Sequence, residues 1–274
     1  MKTMKTTAQI LLAAGIAAST AFVSCDSGNS SGKTDYEFSL VSGKAAFRLD
    51  ASSLDYNRDE DLIMFDSASV ILPEKIYGKD LSELRDSIIK AAFDTIAAPV
   101  DAMNSYFVGV ASEIGYPVVQ LPSSEATFAV GDGIAIVTGS MFNLNADRLT
   151  YLVTNDFLAP GGANGMSATR FFTYDIAHGK IVSLTDIFTP EGLERLPELI
   201  KGRALHLQAA LGPTDITALP ADGNFYISLT NEIVFVYQPF EVASHAQGEI
   251  SVPFEGYQLQ NLMTPYGMQL LNLR

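Results

Sequence analysis

Two consecutive stretches of the sequence have the apolar periodicity of α-helices, whereas most of the chain has the shorter period of β-strands. Of all the features of the sequence, this arrangement constrains the fold most strongly. Apolar side chains recur every three or four positions between residues 80 and 115. The first stretch follows Asp80 and Glu83, which have capping-box spacing, and ends at Pro99. Gly115 is placed to end the second stretch. The sequence therefore predicts a pair of helices between strands.

Strand-like segments lie on both sides of this helix pair, and Gly, Asn and Asp turns separate them. A further helical stretch begins after Thr189 and Pro190 and ends at Gly212. Because strands and helices are clustered rather than strictly alternating, we expect an α+β fold with helices packed on an antiparallel β-sheet. The predicted strands are residues 44–49, 62–72, 126–130, 134–138, 151–154, 169–175, 225–229, 233–237 and 249–254.

The N-terminal segment is typical of a secretory signal peptide. Lys2 and Lys5 precede an apolar run at residues 8–23, and Cys25 follows directly after Ser24. The residues around Cys25 resemble a bacterial lipobox, whose cysteine is lipidated and becomes the mature N-terminus. We therefore predict that residues before Cys25 form a lipoprotein signal peptide, and that the protein is anchored in the cell envelope through this cysteine. The alternative is an ordinary signal peptide followed by an incidental cysteine.

The predicted domain organisation has four parts. After the signal peptide at residues 1–24, a Gly/Ser-rich segment predicts a flexible tether at residues 25–43. An N-terminal α+β part at residues 44–119 and a C-terminal part at residues 120–274 follow. No Pro/Gly/Ser-rich linker divides these two parts, so we expect one cooperative unit.

The chain is strongly acidic. Its 17 basic and 31 acidic residues give a formal net charge of −14. Removal of residues 1–24 takes away two lysines and no acids, so the mature chain would carry −16. This charge argues against a nucleic-acid partner, because phosphate contacts need a basic face. It favours a cationic partner, which long-range attraction would steer to the protein.

No catalytic or metal-binding motif is evident. The histidines His178, His206 and His245 lie in unrelated contexts, and each is best interpreted as a surface or turn residue. Residues 55–66 alternate like a calcium loop, but Glu60 occupies the position that requires glycine, so a solvated acidic hairpin is the better interpretation. We therefore predict a protein that is not an enzyme and has no catalytic residues, metal or cofactor.

A series of motifs in the C-terminal part resembles a known family. The series resembles the core signature of the Domain of Unknown Function 3298 family, which includes the extracellular part of the RsiV anti-sigma factor. The resemblance covers about residues 120–262, and a looser similarity extends to the partner region that often precedes it. Ala159 and Asn164 depart from the family's Tyr and His. The motifs are the glycine loop 161–165, the aromatic strand 171–175, the Gly-Lys turn 179–180, Leu-Thr-Asp-Ile-Phe at 184–188 and the closing segment 235–248.

The resemblance implies an RsiV-like α+β fold, and the motif residues have two interpretations. The structural one is that the glycines satisfy backbone geometry and that Asp186 bonds backbone amides before a helix. The functional one is that the glycine loop and the closing segment form a recognition rim, because loops on a rigid sheet commonly bind partners. The candidate rim residues are Gly161, Gly162, Asn164, Gly165, Tyr237, Phe240 and His245.

Three functions remain open, and the first two are implied by the resemblance. The first is a non-catalytic envelope lipoprotein that binds or senses a basic protein such as lysozyme, or a wall polymer such as peptidoglycan. The second is an accessory domain that acts in trans with enzymes that modify cell-wall polysaccharides. The third is an unrecognised hydrolase, for which no nucleophile or acid–base pair can be named.

Overall fold

The computed structural model describes residues 36–49, 62–114, 118–122 and 132–273, together with the backbone of Ala17–Cys25. Four predicted features lie wholly or partly outside these residues. They are residues 1–16 of the predicted signal peptide, residues 26–35 of the predicted tether, residues 55–61 of the predicted acidic hairpin, and the predicted strand at 126–130.

A nine-stranded sheet forms the first unit. Its strands are β1 (Ala17–Cys25), β2 (Tyr36–Leu49), β3 (Leu62–Ile76), β4 (Lys79–Asp80), β5 (Val118–Gln120), β6 (Gly133–Leu144), β7 (Arg148–Leu158), β8 (Met166–Asp175) and β9 (Lys180–Ile181). The hydrogen-bonded order is β1-β2-β3-β6-β7-β8-β9, while β4 pairs with β3 and β5 with β2. Neighbouring strands are antiparallel except β3 and β6, which are parallel. The predicted α+β class is therefore confirmed.

The predicted helix pair is present as α1 (Ser82–Phe93) and α2 (Pro99–Glu113). Both helices pack on one face of the sheet, and Leu84 of α1 and Phe107 of α2 are fully buried in the same core as the sheet residues. Helix α1 ends earlier than its apolar pattern suggests, because Asp94 adopts the left-handed conformation with φ 54°.

Strand β2 corrects the predicted tether. Residues 36–43 were expected to be part of a flexible segment, but they belong to a strand that pairs with β3 along its length. Phe38 and Val41 are buried there, whereas Ser39, Ser42 and Gly43 give the segment the composition of a linker. The segment forms a strand despite this composition, because its backbone pairs with β3 and because small side chains fit a sheet that is covered on one face.

A second unit follows the first along the chain. Its antiparallel sheet contains β10 (Phe225–Ile227), β11 (Glu232–Tyr237) and β12 (Ile250–Glu255). Its helices are α3 (Leu184–Ile187), α4 (Pro190–His206), α5 (Gln208–Leu211), α6 (Gly256–Leu259) and α7 (Pro265–Leu270). Along the chain, the buried residues of the first hydrophobic core end at Ile176, and those of the second core begin at Val182. By contrast, the predicted boundary at residues 119 and 120 falls within β5 of the first sheet.

Buried polar contacts join the two units. Arg148 of β7 is only 4% exposed, and its guanidinium donates hydrogen bonds to the carbonyl oxygen of Leu270 and to Oδ1 of Asn231. Burial lowers the pKa of this guanidinium. Both acceptors belong to the second unit, so one buried side chain fixes the units together.

None of the helices in the described part of the chain has the length and apolar character needed to cross a membrane.

Candidate functional site

The glycine loop between β7 and β8 contacts the segment that follows β11. Nε2 of His245 lies 2.7 Å from the carbonyl oxygen of Gly165, within hydrogen-bond distance. Gly161 has φ 72°, and a Cβ atom on Gly162 would lie 2.8 Å from the carbonyl oxygen of Ala159. The loop therefore requires glycine for its backbone geometry, and it also contacts the second half of the predicted rim.

Phe240 is the most prominent side chain of this surface. It is 63% exposed, and its ring lies 5.0 Å from the ring of His245. Its φ of 69° is unusual for a bulky residue. The turn is held by Glu241, whose carboxylate accepts hydrogen bonds from the backbone amides of Ala221 (2.6 Å) and Gln238 (2.8 Å). The fold thus presents an apolar ring to solvent in a strained conformation.

Two other rim predictions have different outcomes. Asn164 is exposed in the glycine loop, next to Met166, which is 54% exposed. Tyr237, however, is fully buried in the second core, and its hydroxyl donates a hydrogen bond to the carbonyl oxygen of Ala218 at 2.9 Å. Its inclusion in a recognition rim is wrong, because its position on β11 directs the ring inward. We define the rim below as Gly161–Met166, Phe240 and His245.

A cleft of about 740 Å³ lies beside the rim, at the junction of the two units. Sequence reasoning missed it because its walls come from separate parts of the chain: helices α1 and α2, strands β7 and β8, and loops of the second unit. The lining residues are Ser87, Lys90, Ala91, Asp94, Tyr106, Val153, Asn155, Ala168, Thr169, Arg170, Phe172, Ala221, Asp222, Asn224 and Gln238.

Two amide side chains connect this cleft to the edge of β8. Asn224, only 2% exposed, donates to the carbonyl oxygen of Thr169 (3.0 Å) and accepts from the amide of Phe171 (2.9 Å). Gln238 likewise donates to the carbonyl oxygen of Thr169 (2.7 Å) and accepts from its amide (2.8 Å). Gln238 lines the cleft and lies two residues before Phe240, so the rim and the cleft share a rigid border.

Arg170 is the cationic side chain of β8 in the cleft. Its guanidinium carbon lies 5.7 Å from the centre of the Phe172 ring, and Nη2 donates to the carbonyl oxygen of Asp222 at 2.9 Å. Burial lowers the pKa of Arg170, and the nearby Asp222 carboxylate opposes that effect. The side chain is therefore a half-buried cation held in one orientation.

Asp66 is a buried acid of the first core. It is 2% exposed, and neither carboxyl oxygen has a hydrogen-bond partner among the described residues. Burial raises the pKa of Asp66 to about 8. The prediction that Asp66 belongs to a solvated acidic hairpin is therefore wrong, because Asp66 lies on the helix-covered face of β3.

The remaining motif residues have structural contacts. Asp186 bonds a backbone amide, but it does so within α3 and not before the helix that begins at Pro190, where the prediction placed it. Its Oδ2 accepts from the amide of Ser183 at 2.8 Å in a capping box. His178 lies in a turn, with Nδ1 2.7 Å from Oδ2 of Asp175, which also accepts from the hydroxyl of Tyr266 at 2.8 Å. No group of three or more metal-ligating side chains occurs in the part of the chain that the structure describes.

The protein is a two-unit α+β protein. Its two sheets are joined by buried contacts, and both units contribute to the rim and to the cleft. Residues 185–255 match the family model described as "Protein of unknown function (DUF3298)", which confirms the resemblance over a shorter range than expected. The matched residues lie within the second unit, from α3 to β12.

Two crystal structures of DUF3298 family proteins have a similar fold. One, from Bacteroides fragilis, aligns with a TM-score of 0.60 at 16% identity over 86% of this chain and 96% of that chain. The other, from Pseudomonas aeruginosa, aligns with a TM-score of 0.50 at 12% identity over 83% of this chain and 95% of that chain. No curated protein sequence matches this chain.

Proposed function

We propose that the protein is a non-catalytic binding module of the bacterial cell envelope, anchored by a lipid on Cys25, and that its rim binds a basic protein. The observation that carries this proposal is Phe240, an exposed aromatic side chain held at positive φ. A non-glycine residue in this conformation costs on the order of 1–3 kcal/mol, and such strain is concentrated at functional sites.

The rim has the composition of a protein-binding surface. Aromatic and methionine side chains are enriched at the centres of interfaces, where a few of them contribute most of the binding energy. Phe240 and Met166 are both more than half exposed, and the hydrogen bonds of Glu241 hold the turn that carries Phe240 before any partner arrives. A preorganised anchor of this kind reduces the entropy cost of binding.

The charge of the molecule supports a cationic partner. Acidic side chains flank the rim: Glu241 follows Phe240, and Glu249 and Asp222 are exposed nearby. Together with the net charge of −14, they favour encounter with a basic protein such as a lysozyme. This attraction should weaken with salt, because the Debye length falls from about 10 Å at 0.1 M to about 3 Å at 1 M.

A binding titration with hen-type lysozyme and other basic wall enzymes tests the proposal. We expect binding at low salt, weaker binding at high salt, and a loss of at least about tenfold in affinity for Phe240→Gly. Glycine relieves the positive φ, so this variant should be as stable as the parent or more stable. Leu205→Ala is the control, since Leu205 is 58% exposed on α4, away from the rim.

Two results would contradict this proposal. Failure to bind any basic candidate at low salt would show that the negative charge of the protein does not attract a basic partner. Turnover of a wall polymer by the purified protein would show that it is an enzyme. A role as an accessory domain for wall-polysaccharide enzymes is the second candidate. The cleft beside the rim favours it, because a concave site with both apolar and polar groups suits a glycan better than a protein surface does.

A further inference from the structure

The cleft has the size and position of a small-molecule site. Its volume of about 740 Å³ falls within the roughly 300–1,000 Å³ typical of ligand pockets, which often lie between structural units. Its lining includes the apolar residues Val153, Ala168 and Phe172 as well as several polar and charged side chains. The occupant should therefore be an organic molecule with an apolar face and several polar groups.

Arg170 leaves donors available to such a ligand. A guanidinium has five N–H donors, and among the described residues only Nη2 of Arg170 has an acceptor, the carbonyl oxygen of Asp222. This bond and the Phe172 ring hold the planar group in place. A preoriented guanidinium with free donors is suited to a carboxylate, which it can bind through two parallel hydrogen bonds.

A second cation lies on another wall of the cleft. Lys90 is exposed in the last turn of α1 and makes no ion pair with the described residues. Arg170 and Lys90 thus add two positive charges to the lining of a protein whose net charge is −14. Asp94 and Asp222 also line the cleft, so an anionic group of the ligand is favoured only where it contacts Arg170 and Lys90.

The same cleft offers acceptors for hydroxyl groups. Asn155 donates through Nδ2 to the carbonyl oxygen of Ala91 at 3.1 Å, which fixes the orientation of its amide. Its Oδ1 atom is buried and has no partner among the described residues. An unpaired buried acceptor is costly, so a donor from a ligand would stabilise this site. Asp94 and Asp222 supply two exposed carboxylates as further acceptors.

We propose that this cleft binds a sugar acid, a hydroxylated ring that carries one carboxylate. The carboxylate binds to Arg170 and Lys90, while ring hydroxyls donate to Asn155 Oδ1 and to the carboxylates of Asp94 and Asp222. A simple anion would leave the acceptors unpaired and would be repelled by the two acids. The inference is independent of the proposed protein-binding role, because neither Phe240 nor His245 lines the cleft.

Calorimetric titration of the full chain with two pairs of ligands tests this inference. N-acetylmuramic acid is compared with N-acetylglucosamine, which lacks its lactyl ether and therefore its carboxylate. Glucuronic acid is compared with glucose, which has a hydroxymethyl group in place of the carboxylate. We expect at least one acid to bind about tenfold or more tightly than its neutral counterpart. The preferred acid distinguishes a wall-derived source from a uronic-acid source.

Variants of the cleft residues provide the second part of the test. Arg170→Gln and Lys90→Gln should each weaken binding of the acid about tenfold or more, with little effect on the neutral sugar. Lys90 is exposed, so its variant should fold normally even if Arg170→Gln does not. Arg195→Gln on α4 is the matched control, because it removes one exposed positive charge outside the cleft.

Four results would overturn the inference. The first two are equal affinity for the acid and the neutral sugar, and no binding of either acid at millimolar concentration. The third is an affinity for the acid that Lys90→Gln does not change. The fourth is tighter binding of alanine, a zwitterion without hydroxyl groups, than of either sugar acid. Phe240→Gly should leave sugar-acid binding unchanged, so failure of the protein-binding role would not affect this test.

Discussion

The carboxyl group of Asp66 lies inside the first core, where neither oxygen has a partner among the described residues. Water normally stabilises a charged carboxylate, and the core offers no substitute. The group is therefore protonated in the folded protein at neutral pH, with a pKa of about 8 compared with the ordinary value of 3.8.

This pKa predicts how stability depends on pH. Between about pH 4 and pH 8 the folded protein binds a proton that the unfolded chain has released, so Asp66 makes the free energy of unfolding fall as pH rises, by up to about 1.4 kcal/mol per pH unit. Asp66→Asn should remove this contribution. Urea unfolding at several pH values measures the slope, and Asp101→Asn, which changes an exposed carboxylate on α2, is the control. An unchanged slope in Asp66→Asn would show that Asp66 is charged in the fold.

Helix α4 contains two glycines with different surroundings. A Cβ atom on Gly192 would lie 2.4 Å from the carbonyl oxygen of Leu262, whereas a Cβ atom on Gly202 would meet nothing within 4 Å. The first glycine is needed where α4 packs closely on the segment before α7, and the second only adds flexibility to the unfolded chain.

Alanine at these two positions should therefore have opposite effects. We expect Gly192→Ala to lower the free energy of unfolding by about 1–3 kcal/mol through overpacking. Gly202→Ala should raise it by about 0.5–1 kcal/mol through helix propensity. Equilibrium denaturation of both variants measures the difference, and a similar change in both would contradict the close contact with Leu262.

The same elements show what sequence patterns can and cannot predict. The helix pair was predictable because Leu84, Ile88 and their neighbours repeat at the helical period. The start of β2 was not, since its Ser and Gly residues are stabilised by pairing with β3, which is a tertiary effect. The cleft was unpredictable for a related reason: Lys90, Asn155 and Arg170 are far apart in sequence and meet only in the fold. Tyr237 was misassigned because an aromatic residue near a loop has the same sequence signal whether it is buried or exposed.

For the whole molecule, Arg148 is one of the buried contacts that couple the two units. Its guanidinium hydrogen-bonds to Leu270 and Asn231 across the junction. We expect the parent protein to unfold in one transition, and Arg148→Met to lower the melting temperature, because each buried polar group left unpaired costs about 1–3 kcal/mol. Differential scanning calorimetry should also show a broader or divided transition for this variant. Arg195→Met is the control, and two separate transitions in the parent would contradict the coupling.

Attachment to the membrane is also a property of the whole molecule. If Cys25 carries the lipid, Cys25→Ala should move the protein from the membrane fraction to the soluble fraction, because the variant has no cysteine to which a lipid could be attached. Fractionation and immunoblotting measure the distribution, with a Ser27→Ala change in the adjoining segment as control. A variant that stays bound as strongly as the parent would place the anchor elsewhere.

The parallel pairing of β3 with β6 has a consequence for the order of folding. Parallel neighbours cannot be joined by a tight turn, and the connection between these two strands carries both α1 and α2. The centre of the large sheet therefore depends on contacts that are distant in sequence, which form slowly. Until β6 has been synthesised, one edge of β3 has no strand beside it, and such edges promote aggregation. We expect a chaperone that delays collapse to assist the first unit, whereas β10, β11 and β12 pair with their sequence neighbours and need no such delay.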